Sequence, residues 1–67
     1  MPNFSKANLL ANVSGCYEPL ETICQEMAIN MKRSITVSEV KSVLFQLVDE
    51  GLVETHLRDD TLHYRKA

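Results

Sequence analysis

Residues 36–65 read TVSEVKSVLFQLVDEGLVETHLRDDTLHYR, and the run changes period halfway along. Val40, Val43, Leu44, Leu47 and Val48 recur at the three-and-four spacing of a helix with one apolar face. Thr36 and Glu39 precede them as a capping box: the threonine oxygen takes a backbone N–H, and the glutamate complements the positive helix end. Gly51 closes the segment, so the spacing predicts a helix over 37–50. The valines lower its intrinsic helicity, and packing must hold it in place. Beyond Gly51 the period drops to two. A turn on Asp59-Asp60 would pair Arg58 with Thr61, Leu57 with Leu62, His56 with His63, Thr55 with Tyr64 and Glu54 with Arg65. Val53, Thr55, Leu57, Leu62 and Tyr64 then share the core face, with Glu54, His56, His63 and Arg65 opposite. Asp-Asp is a poorer two-residue turn than Asn-Gly, and a longer loop keeps the same outer pairs.

Working back toward the N-terminus, Ser5 is a good helix cap, with Phe4 and Leu9 spaced as a hydrophobic staple around it. A first helix is expected over 5–14, lined by Leu9, Leu10 and Val13 and stopped by a left-handed Gly15. Pro19 suits the first position of a second helix, over 19–30. Leu20, Ile23, Cys24, Met27, Ala28 and Met31 form its apolar stripe. Residues 30–35 connect it to the third helix, and Ser34–Thr36 leaves room for a brief strand outside the hairpin. The expected fold is mainly α: three helices and a C-terminal two-stranded hairpin in a single domain, 1–67.

Composition bounds the function. The 67 residues are 45% hydrophobic and 24% charged, the balance of an ordinary globular domain near the lower size limit for an unstapled core. No run approaches the ~20 apolar residues of a membrane span, and residues 1–6 lack a signal-peptide core, so a cytoplasmic location without membrane contact is expected. Cys16 and Cys24 do not have zinc-site spacing; Cys24 reads as a small buried thiol and Cys16 as a half-buried loop residue. No metal or other cofactor is expected. His56 and His63, with Glu54 nearby, make at most a partial metal site, and a solvated cross-strand pair is the preferred reading. With Gly15 and Gly51 as the only glycines there is no phosphate-binding loop, and no nucleophile–base grouping can be assembled. An enzyme, or a small-molecule substrate, is not expected.

The run Pro19–Arg65 resembles the winged helix-turn-helix superfamily of small bacterial and phage regulators. Three stretches carry the resemblance: PLETICQEMA at 19–28, SITVSEV at 34–40 and LVDEGLVE at 47–54. The last is the most specific, because Leu-x-x-x-Gly-Leu-Val after an amphipathic helix recurs widely there. The resemblance implies a DNA-binding transcriptional regulator, with helix 37–50 in the major groove and hairpin 52–65 as the wing. Ser38, Lys41 and Ser42 would then contact bases or phosphates, supported by Lys32 and Arg33 before the helix and Arg58 at the wing tip. Arg65 and Lys66 could also reach the DNA backbone.

Charge argues in the other direction. The net charge is −2, where a duplex binder usually carries a basic face. Glu39 and Asp49 on the third helix repel phosphate, and Asp59-Asp60 spoils the wing tip as a probe. A single copy would bind weakly and need a dimer or a partner protein. The alternative is an acidic winged-helix module, accessory or inhibitory, that docks on a protein and not on DNA. Phe45 would carry that role, since it falls off the core stripe beside Lys41 and Ser42; its other reading is packing beneath the hairpin.

Overall fold

The computed structural model describes residues 4–67, in the order α1 (Lys6–Asn12), β1 (Glu18–Pro19), α2 (Leu20–Met31), α3 (Val37–Asp49), β2 (Val53–Arg58) and β3 (Thr61–Lys66). Three helices thus pack with a three-stranded antiparallel sheet of order β1-β3-β2. The expected strand count was two. The additional strand pairs Glu18 with Tyr64 and Pro19 with His63. Proline is tolerated there because β1 is an edge strand. The brief strand for which Ser34–Thr36 left room is absent, and those residues form the loop into α3.

Local chemistry sets the helix ends. The Ser5 hydroxyl accepts from the Asn8 amide at 3.1 Å, and the Asn8 side chain accepts from the Ser5 amide at 3.1 Å, a reciprocal cap. Phe4 and Leu9 on either side of it are both buried, as a staple requires. α1 ends earlier than residue 14, because Val13 is already extended at φ −89°, ψ 123°. Gly15 does not supply the left-handed stop expected of it; Gly51 is the glycine with positive φ. Pro19 caps α2 from outside and is not its first residue.

α2 and α3 close in the same way. At α3, the Gly51 amide reaches Val48 and the Leu52 amide reaches Leu47, with Gly51 at φ 77°. That is the Schellman pattern. At α2 the amides of Lys32 and Arg33 reach Ile29 and Ala28, and the left-handed residue is Lys32, at φ 55°. α3 begins at the Thr36 cap, whose hydroxyl accepts from the Glu39 amide at 3.2 Å. Its last residue is Asp49, one short of the expected end.

The core gathers Phe4, Leu9 and Val13 with Ile23, Cys24 and Met27, then Val40, Val43, Leu44 and Leu47, and finally Val53 and Tyr64. α2 and α3 bury the middle of the stripes their spacing predicts, with Leu20, Met31 and Val48 only partly covered, whereas α1 itself buries Leu9 alone and Val13 lies beyond its end. The hairpin pairs every residue from Arg58–Thr61 to Glu54–Arg65 as the alternation requires, and Val53 with Lys66 beyond them. Its inner face is nonetheless buried only at one end. Val53 and Tyr64 lie in the core, whereas Leu57 is 62% exposed and Leu62 40%. The distal half of the hairpin projects past the helices that would have covered it. No helix among the described residues is long and apolar enough to cross a membrane.

Candidate functional site

The outward face of α3 is set by exclusion: once Val40, Val43, Leu44 and Leu47 turn inward, Ser38, Lys41, Ser42, Phe45 and Asp49 are left exposed, at helical spacing. The Lys41 ammonium lies 5.6 Å from the centre of the Phe45 ring, one turn further on. Phe45 is 42% exposed and flanks an open groove of about 360 Å³ between α3 and the hairpin tip. Leu20, Lys41, Asp60, Thr61, Leu62 and Tyr64 complete that groove, so an apolar floor carries one cation and one carboxylate at its margin.

The basic residues expected to flank α3 have different fates. Arg33 turns inward: Nη1 donates to the Ser34 carbonyl at 3.0 Å, and Nη2 lies 3.9 Å from the Glu39 carboxylate. Glu39 therefore faces Arg33 and does not reach back to complete the Thr36 capping box. Arg33 Nη2 and Glu39 Oε2 are both shielded from solvent without a hydrogen bond, so each leans on the charge of the other. That makes Arg33 a poor phosphate ligand. Lys6 is paired with Glu50, and Arg65 with Glu54 at 2.8 Å. Lys32, Lys41 and Arg58 are not buried, and among the described residues none of them has an ion-pair partner. Lys41 and Phe45 are thus brought together at one groove, while Arg33 is withdrawn and Arg58 stands at the hairpin end beside Asp59-Asp60.

The outer face of the sheet holds a cluster in which Tyr17 was not foreseen. The Arg65 guanidinium lies 4.7 Å over the Tyr17 ring, and Tyr17 meets His56 with ring centres 5.4 Å apart, tilted by 42°. The Glu54 hydrogen bond, with charge from Tyr17 and Glu54 behind it, holds Arg65 still more firmly in its charged form. Tyr17 precedes a strand too short to show alternation, so nothing in its neighbourhood marked it. His56 is accordingly stacked on an aromatic ring, and His63 turns Nδ1 to the Thr61 carbonyl at 2.9 Å. Among the described residues no three side chains of His, Cys, Asp or Glu are placed to hold a metal ion.

A second groove, about 500 Å³, runs between α2 and the 34–37 loop over Cys24, Ala28, Ile35 and Val37. The Cys24 thiol donates to the Ile35 carbonyl at 3.3 Å, and burial, then the Glu39 charge, push its pKa up. Cys16, expected to be half-buried, is exposed, and both thiols are free. No family model, curated protein or solved structure matches the chain.

Proposed function

We propose that this chain is a small winged helix domain that binds duplex DNA as a transcriptional regulator in the cytoplasm, with α3 as recognition helix and the β2–β3 hairpin as wing. The element order α1-β1-α2-α3-β2-β3 supports the architecture, with β3 lying between a short first strand and its hairpin partner. One observation carries the DNA reading. Ser38, Lys41 and Ser42 lie together on the exposed face of α3, and among the described residues the Lys41 ammonium has no ion-pair partner. Lys32 and Arg58 add phosphate contacts, whereas Arg33 is tied to Glu39 and contributes little.

With a net charge of −2 the affinity is expected to be weak and strongly dependent on salt. Titration with random duplex, followed by amide resonances, should perturb Ser38, Lys41, Ser42 and Arg58. Lys41→Ala should flatten the slope of log affinity against log salt by about 1. A flat response at about 0.01 M salt, where the Debye length is about 30 Å, rules the reading out.

A second reading, a protein-interaction module, is favoured by one feature: Phe45 and Leu62 stay half-exposed around an apolar groove where a phosphate backbone would otherwise approach. On that reading Phe45→Ala abolishes capture of a protein partner and leaves the fold unchanged. Retained capture by the alanine variant excludes it.

A further inference from the structure

We propose that β2 is a dimerisation strand: it pairs antiparallel with β2 of a second copy of this chain, across a two-fold axis at His56. The inference stands on the exposed strand itself and not on DNA binding, although in the dimer Arg58 is committed to the second copy and is no longer free for phosphate. β2 has a neighbour on one side only, and Glu54 to Arg58 are all exposed. The two-residue turn, with Asp59 at φ 51° and Asp60 at φ 64°, fixes which backbone groups are free. In such a hairpin the flanking pair exchanges hydrogen bonds and pairs alternate from there. Arg58, His56 and Glu54 therefore bond to β3, and the amides and carbonyls of Thr55 and Leu57 point outward. No proline, lysine or bulge interrupts the strand along its paired length, and its exposed charges, Glu54 and Arg58, are of opposite sign, so that they can pair between two copies.

Two-fold pairing through those outward groups restricts the register. The axis falls at Thr55, His56 or Leu57. Opposed residues share a face, so the registers differ in what they oppose. An axis at Leu57 sets His56 against Arg58, and one at Thr55 sets Glu54 against His56. An axis at His56 sets Glu54 against Arg58 on both sides of the dyad. Arg58 has no ion-pair partner among the described residues, and Arg65 occupies only Oε1 of Glu54, which leaves Oε2 to accept. The same register lays Leu57, 62% exposed in one copy, against Thr55 of the second on the core side of the sheet. Of the three axes only the one at His56 opposes fully charged groups of unlike sign on both sides of the dyad, and the second copy then completes a continuous sheet of order β1-β3-β2-β2-β3-β1.

The test is sedimentation equilibrium of the full chain from about 10 µM to about 1 mM, the range in which a small main-chain interface dissociates. A monomer–dimer equilibrium is expected. Thr55→Pro removes only an outward amide at an edge position, and should leave a monomer at every concentration with the helical circular dichroism unchanged. Should that variant fail to fold, Arg58→Glu, at the exposed hairpin end, should weaken the dimer at least about tenfold by opposing two carboxylates. The register is read by oxidation in a Cys16→Ser background. His56→Cys should cross-link to a covalent dimer, because its Cβ meets its own image, and Leu57→Cys should not. A wild-type monomer at about 1 mM, a dimer that survives Arg58→Glu, or equal cross-linking by the two cysteine variants overturns the proposal.

Discussion

Lys32 closes α2 in the left-handed region, at φ 55° and ψ 40°, where an L side chain crowds the following carbonyl. Gly51 meets the same requirement at the end of α3 without that cost. Lys32→Gly is therefore expected to raise stability by about 0.5–1 kcal/mol, measured by urea unfolding, the added chain entropy of glycine cancelling part of the gain. Sequence did not mark Lys32, because the conformation is imposed by the Ala28 and Ile29 carbonyls and not by the residue itself. Cys24 was legible, since it falls on the apolar stripe of α2. Its thiol, raised in pKa by burial and then by Glu39, should react with a disulfide reagent at about pH 8 only as fast as the domain opens. Cys16 should react at once. Two thiols titrating at one rate would contradict the packing of α2 against α3.

Among the elements, α2, α3 and the hairpin register were readable because each repeats a period several times over. β1 was not, having two residues and one of them a proline; it exists only because β3 offers it a partner. The strand for which Ser34–Thr36 left room failed for the converse reason, a suitable residue type with no strand beside it. The alternation also predicted a core face along the whole hairpin, but exposure of Leu57 and Leu62 depends on how far the helices extend, which no local pattern encodes. At the turn, both aspartates adopt positive φ, as a type I′ turn requires. The double substitution Asp59→Asn with Asp60→Gly gives the turn its preferred residues. It should stabilise the domain by about 0.5–1 kcal/mol, seen as a higher urea midpoint with an unchanged slope. A lower midpoint would mean that the carboxylates hold the turn by contacts of their own.

On the scale of the whole molecule, Tyr64 links sheet and helices: it is 2% exposed and burial pushes its pKa up. The folded state then holds the phenolic proton more tightly than the unfolded chain. The stability this contributes is complete below the ordinary tyrosine pKa of about 10 and is lost as pH rises through the higher folded value. Tyr64→Phe should flatten the alkaline limb of a stability–pH profile while changing neutral stability by less than about 1.5 kcal/mol. The candidate binding face, by contrast, was only half legible. Spacing placed Ser38, Lys41, Ser42 and Phe45 on one side of α3, but which cations remain available is decided by side-chain pairing that the local period does not encode, across the loop for Arg33 with Glu39 and over 44 positions for Lys6 with Glu50.

The central position of β3 also has a kinetic consequence. Its hairpin partner adjoins it in sequence and can zip within microseconds. Glu18 and Pro19 must be brought to it across α2 and α3, which costs far more loop entropy. Docking of that first strand is thus the expected barrier crossing, with helices and hairpin half-formed before it and the sheet sealed only afterward.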